Sequence, residues 1–248
     1  MGSLAAAARE ALGDLESLLL PEACLGCGDY LSSAAREAGC CAVCRSRLRR
    51  IPPPACGRCG QPSDRWDAPG PSCGFCRAWP ADLAWAASAV WMDDGPAREL
   101  VHGLKYGGWR VAAGPMAEVL ARELGARLAA VELLVPVPLG RRRLSDRGYN
   151  QAAVLAAALS ARTGIPVREG LLVRTRDTRT QTALGPAERW ANVAGAFRAT
   201  APLAGTRVAL VDDVLTTGAT LAACAAALAA SGALAVGALT FARAAIPN

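Results

Sequence analysis

The sequence predicts an α/β fold: a mainly parallel sheet flanked by helices, preceded by a small cysteine-rich module. Three observations carry this expectation. Nine of the ten cysteines lie before residue 77. From about residue 81 onward, short apolar runs alternate with longer segments of helical period, the pattern of strands joined by crossover helices. One such run, Val208–Val211, ends in two carboxylates, Asp212 and Asp213, directly before a small hydroxyl-rich loop. Open α/β sheets bind ligands at the carboxyl ends of their strands, so this junction is the first place to look for a site.

Length and composition bound the rest. A chain of 248 residues can bury a core in one or two domains. At 52% hydrophobic and 19% charged it is not a disordered chain. The net charge of +6 is mildly basic. Of 27 cationic side chains only Lys105 is a lysine, and 55 residues are alanine, a bias ascribed to base composition rather than function. The single histidine, His102, excludes a His–His metal site. It leaves a histidine-assisted nucleophile only if everything converges on that imidazole. It reads as a surface or satisfied residue.

Taken in order, residues 1–19 read as an amphipathic helix, with Leu12, Leu15, Leu18 and Leu19 at helical spacing. Glu10, Asp14 and Glu16 interrupt the apolar residues and no basic segment precedes them, which is unlike a signal peptide. A cytoplasmic chain with reduced thiols is therefore expected. Residues 20–80 form the cysteine module, divided by Ile51–Pro54, whose three prolines cannot continue a helix or inner strand. Residues 81–248 form the second domain. Within it, 85–92 is read as extended, 96–106 and 115–129 as helical, and Leu133–Val137 as a buried strand. A helix is expected over 149–162, a strand over 207–213, a helix over 218–231 and a strand over 234–241. The polar stretch Arg174–Arg189 is read as a loop, and a loop that long in a compact domain is usually functional. The stretch from Val214 to Ala242 has no charge. Its alanines, its glycines and its opening threonines suit a buried helix followed by a strand better than a membrane span.

The cysteines fall into four Cys-x-x-Cys pairs: Cys24/Cys27, Cys41/Cys44, Cys56/Cys59 and Cys73/Cys76. Each half of the module can supply four thiolates to one tetrahedral zinc, giving two closed, structural Zn²⁺ sites. Pairing can be sequential or interleaved. Cys40 is spare, and Cys224 reads as core packing. Residues 1–80 carry 9 Arg against 8 acids. Only Arg45, Arg47, Arg49 and Arg50 cluster, which suits a solvated face and, less well, direct nucleic-acid binding.

At the strand end, backbone N–H groups and the hydroxyls of Thr216, Thr217 and Thr220 would open a helix as a phosphate cradle. The adjacent carboxylates would repel a bare phosphate. They make sense if the ligand also offers hydroxyls or carries Mg²⁺. A sugar phosphate with vicinal hydroxyls meets both demands.

Here the segment Val208–Leu221 resembles the phosphoribosyl pyrophosphate (PRPP) loop of type I phosphoribosyltransferases. The whole chain resembles the ComF family, a double zinc ribbon followed by such a domain. Matching stretches are Leu104–Tyr106, Val135–Leu139 with Arg141–Arg143, Arg147–Gln151, and Arg174–Phe197. The resemblance implies that Asp212 and Asp213 hold the ribose hydroxyls and that Thr216, Thr217, Gly218, Ala219 and Thr220 hold the 5-phosphate. It makes Pro138, Leu139, Gly140 and Arg141 the pyrophosphate loop, with Mg²⁺ accompanying PRPP. It makes 174–189, with Arg174, Arg176, Thr180, Gln181 and Arg189, a flap over the site. Lys105 stands in the family's Leu-Lys-Tyr pattern and joins Asp212, Asp213 and Arg141 as a candidate catalytic group. Family membership further implies a part in DNA uptake, with competence-machinery proteins as partners. The acceptor stays open, as do turnover versus PRPP binding alone and the oligomeric state. Thr216 stands where 6-oxopurine enzymes often place an Asp, which argues against those purines. Residues 138–189 carry 10 Arg against 4 acids, a local +6 suited to a polyanion: PRPP, single-stranded DNA, or both.

Overall fold

The structure, a computed structural model, describes residues 23–31, 39–63, 72–176 and 186–245. The expected helix in 1–19 lies outside them. Among the described residues six strands form: β1 (Leu83–Met92), β2 (Leu133–Pro136), β3 (Leu172–Arg174), β4 (Phe197–Ala199), β5 (Arg207–Leu215) and β6 (Ala235–Ala244). The helices are α1 (Ala42–Ser46), α2 (Pro96–Tyr106), α3 (Ala113–Glu123), α4 (Gly125–Leu128), α5 (Arg141–Arg147), α6 (Gln151–Thr163), α7 (Pro186–Val193) and α8 (Ala219–Ala229).

Four strands make one parallel sheet in the order β1-β6-β5-β2. Alternate residues of β5 face opposite sides, so both faces must be covered. Val208 and Leu210 join a core with Leu221, Ala225 and Leu228 of α8. Ala209 and Val211 join a second core with Leu100 and Leu104 of α2, Met116 and Leu120 of α3, and Leu155 and Leu159 of α6. The alanines of α8 let it lie close to the sheet. The uncharged stretch from 214 to 242 thus divides into a strand end, an 11-residue helix and a strand. Among the described residues no helix is long and apolar enough to cross a membrane.

Three departures from the sequence reading have local causes. The helix expected over 115–129 breaks at Leu124, whose φ and ψ of −114° and 16° leave the helical region. The arginine-rich stretch after Gly140 winds into α5, stopped by Gly148 in the left-handed region. The long polar loop is bracketed by β3 and β4, an antiparallel pair only three residues deep and too short for a period to be read. Its second half starts α7 at Pro186, since proline suits a first helical turn as well as a loop.

The two cysteine ribbons repeat one local design. In the first, the Cys24 N–H donates to the Asp29 carbonyl at 2.7 Å and the Gly28 N–H to the Cys24 carbonyl at 2.8 Å. In the second, Cys56 donates to Gln61 at 2.7 Å and Gly60 to Cys56 at 2.8 Å. Gly28 and Gly60 have φ of 78° and 68°, which a glycine adopts without strain. The ribbons attach differently. Cys24, Leu31, Cys40 and Cys44 form a small core of their own. Cys56, Cys59 and Cys76 belong to the same core as Leu210 and α8.

Candidate functional site

The carboxyl ends of β5 and β2 lie side by side, with the Val137 N–H donating to the Val211 carbonyl at 3.0 Å. Between them opens a cleft of about 940 Å³. Asp212, Asp213, Thr216, Gly218 and Thr220 line one wall, Pro138, Leu139, Arg143 and Arg147 another, and Lys105, Tyr106 and Arg174 the rim. β5 runs two residues past Asp213, to Leu215. Thr216 and Thr217 then turn into α8 through Gly218, whose φ of 83° is left-handed. The Ala219 N–H donates to Thr217 Oγ1 at 3.4 Å. The N-terminus of an 11-residue helix therefore faces the cleft with its orphan amides, a favourable end for an anion.

Asp213 is buried, with 3% of its side chain exposed. Its Oδ1 accepts from Gln151 Nε2 at 3.1 Å, and its Oδ2 forms an ion pair with Lys105 Nζ. α6 delivers Gln151 because Asn150 caps that helix, accepting from the Ala152 N–H at 3.1 Å while donating to the Val137 carbonyl at 3.0 Å. α2 delivers Lys105 in its last turn. Tyr149 fastens the same helix, its hydroxyl donating to the Leu104 carbonyl at 2.5 Å.

The two carboxyls are pushed apart electrostatically. Burial raises Asp212 well above the ordinary carboxylate range, and the charge of Asp213 raises it further. Burial also acts on Asp213, but the Lys105 ammonium and donated hydrogen bonds outweigh it and hold that carboxyl below its usual value. Lys105 in turn is raised, since Asp213 outweighs the desolvation of its ammonium. A carboxyl held low stabilises the fold above the unfolded value near pH 4, and this is lost as pH falls through the folded value. Lys105→Met should therefore cost about 3 kcal/mol at neutral pH, because it leaves a buried carboxylate unpaired. Thermal unfolding should show a drop of about 9 °C that shrinks on acidification. An unchanged melting temperature would show that the pair holds nothing.

Lys105 and Gln151 thus hold Asp213 directly, and sequence reasoning had assigned Gln151 no role. Arg141 lies on the exposed first turn of α5, while Arg143 and Arg147 of the same helix line the cleft. Gly140, Thr217 and Ala219 are not among the lining residues. Arg174 reaches the rim from β3, over the Phe197 ring at 5.4 Å. Arg176 donates to the Ala194 carbonyl at 2.8 Å. Thr180, Gln181 and the side chain of Arg189 lie outside the described residues. Tyr106, 70% exposed, has the Arg147 guanidinium over its ring at 5.3 Å. His102 stacks on the same ring edge-on, its centroid 5.2 Å away.

The cysteines assemble sequentially. Cys24, Cys27, Cys41 and Cys44 form one set, and Cys56, Cys59, Cys73 and Cys76 the other, each with all sulfurs within 4.8 Å. Separations of 3.5, 3.7 and 3.9 Å in the second set match the edge of about 3.8 Å of a tetrahedron with Zn–S bonds of about 2.3 Å. Backbone N–H groups of Gly26 and Cys41 point at the Cys24 sulfur at 3.4 and 3.2 Å. Against the opposing effect of burial, such hydrogen bonds bring that thiol down to about 6. Arg243 gives a further test of fit. It is fully buried, and no carboxylate forms an ion pair with it among the described residues. Its Nη1 donates to the Cys59 carbonyl at 2.6 Å. Among the described residues its Nε and Nη2 find no hydrogen-bond partner. Four thiolates around one Zn²⁺ carry a net negative charge, which supplies the missing counter-charge. The donor sets fit two structural zinc ions. Three arginines of the basic cluster are occupied within the molecule: Arg45 with Glu118, Arg49 with Asp93 and Arg50 with Glu123, at 3.5, 3.8 and 3.0 Å.

Comparison with known proteins agrees with this geometry. Residues 15–77 match the double zinc ribbon domain and residues 147–246 the phosphoribosyl transferase domain. The DNA utilization protein YhgH of Escherichia coli K12 is 34% identical over 204 residues, spanning 80% of this chain and 87% of its own. The chain belongs to the ComF family. Competence protein F of Haemophilus influenzae is 41% identical to this ComF chain over 98 residues, 38% of this chain and 43% of its own. Among solved structures, orotate phosphoribosyltransferase from Aeropyrum pernix covers 62% of the ComF chain and 66% of its own, with 23% identity and a TM-score of 0.36. The domain match, rather than that likeness, identifies the ComF carboxyl-terminal half as phosphoribosyltransferase-like.

Proposed function

We propose that the cleft binds PRPP with Mg²⁺ and that the chain is a phosphoribosyltransferase whose acceptor is unidentified. The observation that carries this reading is the junction of β5 and α8. A carboxylate pair for a diol stands beside a helix N-terminus for a phosphate, in one cleft that three arginines help to line. Asp212 and Asp213 would receive the ribose hydroxyls, Thr216 through Thr220 the 5-phosphate, and Arg143 and Arg147 the leaving pyrophosphate. Mg²⁺ suits this donor set, since it is held by one or two carboxylates together with substrate phosphates, and when bound it stabilises charge on the departing pyrophosphate. The protein supplies position and electrostatics and needs no covalent nucleophile, which agrees with the lack of a histidine in the lining.

Calorimetry with PRPP, with and without Mg²⁺, tests the reading. Binding should require Mg²⁺ and strengthen as pH rises above the ordinary carboxylate range, because Asp212 is raised and must ionise to accept a hydroxyl. Asp212→Asn should flatten that rise. Absence of PRPP binding at any pH would overturn the proposal. Release of pyrophosphate with some acceptor would establish turnover. Tight PRPP binding without release across a broad panel of bases and amines would leave a PRPP-sensing module in its place.

A second reading is favoured by Tyr106. This exposed ring beneath Arg147 offers a base-stacking surface next to cationic side chains, as single-stranded nucleic acid requires. Relatives named for DNA utilization and competence support a part in DNA handling. Binding of an oligonucleotide should then fall steeply with salt and be weakened by Tyr106→Ala.

A further inference from the structure

The second ribbon reaches the phosphate loop through one side chain. Trp79 follows Cys76 by three residues and is 5% exposed. Its backbone N–H donates to the Cys76 carbonyl at 3.1 Å, and its ring meets Phe75 edge-on at 5.5 Å. At its other end the indole Nε1 donates to the Thr217 carbonyl at 3.2 Å. The ring covers Gly218 so closely that a Cβ there would stand 2.6 Å from Cζ2 and 2.7 Å from Cε2. Gly218 is therefore required twice, by its positive φ and by the indole against its α-carbon. Arg58, between the first two cysteines of this ribbon, holds the segment in place. It donates to the carbonyls of Cys76, Trp79, Pro80 and Leu83 at 2.7–3.2 Å.

We infer that the second ribbon forms the back wall of the 5-phosphate subsite and that Trp79 is its positioning residue. The inference rests on the PRPP reading above. An indole donor on the Thr217 carbonyl fixes the peptide that precedes Gly218, and so the direction of the amides that follow. The first ribbon makes no such contact among the described residues, so the two zinc sites serve different ends. One is a scaffold apart from the cleft, and the other sets the geometry of the anion cradle.

Ribose 5-phosphate and pyrophosphate, each titrated with Mg²⁺ present, separate positioning from general destabilisation. Trp79→Ala should weaken ribose 5-phosphate about tenfold and pyrophosphate less than about twofold. Trp79→Phe, which keeps a ring and loses the N–H, should recover part of the loss. Hydrogen exchange of the amides at 217–220 should quicken in Trp79→Phe, while those in the middle of β5 stay slow. Equal weakening of both ligands, or unchanged exchange in Trp79→Phe, would overturn the role of Trp79 alone. Wild-type protein that binds neither ligand would overturn the PRPP reading, and the subsite assignment with it.

Discussion

Replacing Cys59 by serine will unfold the carboxyl-terminal domain, whereas replacing Cys44 by serine will leave that domain folded. Both substitutions remove one thiolate from a four-thiolate set, so their local chemistry is the same. Structural zinc contributes on the order of 10 kcal/mol in small domains, comparable to the whole stability of many folds. The difference lies in what each ribbon touches. The Cys44 set forms a small core of its own. The Cys59 set shares a core with Val208, Leu210 and α8, and with Trp79 behind the phosphate loop. Arg243 adds to the asymmetry. Without a metal-bound thiolate set beside it, this fully buried guanidinium loses its counter-charge. Circular dichroism and zinc stoichiometry read the outcome. Wild type should hold two zinc ions, and Cys44→Ser one with the domain's melting transition retained. Cys59→Ser should be recovered unfolded, or melting more than about 10 °C lower. Loss of the domain's melting transition in Cys44→Ser, or an unchanged one in Cys59→Ser, would overturn this distinction between the ribbons.

Asp212→Asn will weaken PRPP binding strongly without lowering stability. A hydrogen bond from a ribose hydroxyl to a carboxylate is worth about 1.5–3 kcal/mol, so losing the charge should weaken PRPP about 10- to 100-fold. Carrying that charge is unfavourable in the empty fold. Burial and the neighbouring Asp213 push the Asp212 carboxyl far up, so its ionised form is disfavoured in the empty fold. An amide of the same shape removes that cost. The melting temperature of Asp212→Asn at neutral pH should therefore equal or exceed that of wild type. Asp213→Asn should instead lose both binding and stability, because its carboxylate answers Lys105 and Gln151. A destabilised Asp212→Asn protein, or one that binds PRPP like wild type, would sink this assignment. The pattern, stability given up for a charged site, is common where a carboxylate must meet a ligand.

The four strands of the main sheet were legible because a buried parallel strand is a continuous apolar run with punctuation at each end, as in Val208–Val211 and Leu133–Val137. The helix α8 could be separated from the strand after it because Gly232 interrupts an otherwise uniform apolar stretch. The strands β3 and β4 were not legible, since three residues carry no period and their pairing joins Leu172 to Ala199 across a long connection. The helix α5 was hidden behind its charge: Pro138–Arg141 read as an anion-binding turn, and the arginines that follow wind into a helix that turns, of its arginines, only Arg143 and Arg147 to the cleft.

What the sequence by itself determined was local: two sets of cysteine knuckles, alternating strands and helices, and a carboxylate pair running into a hydroxyl-rich loop. Each is written in neighbouring residues, where spacing alone dictates which groups share a turn or a face. Only the tertiary structure decided how distant pieces meet. It paired the cysteine knuckles sequentially, brought Lys105 of α2 and Gln151 of α6 onto Asp213, and set Trp79 against Gly218. It also placed Arg243 on Cys59, 184 residues away in the chain. Such contacts follow from the strand order, which carries the end of β6 to the second ribbon and the last turn of α2 to the end of β5. No period or composition records that order, because it is fixed by which faces bury the most apolar surface together once all the elements exist.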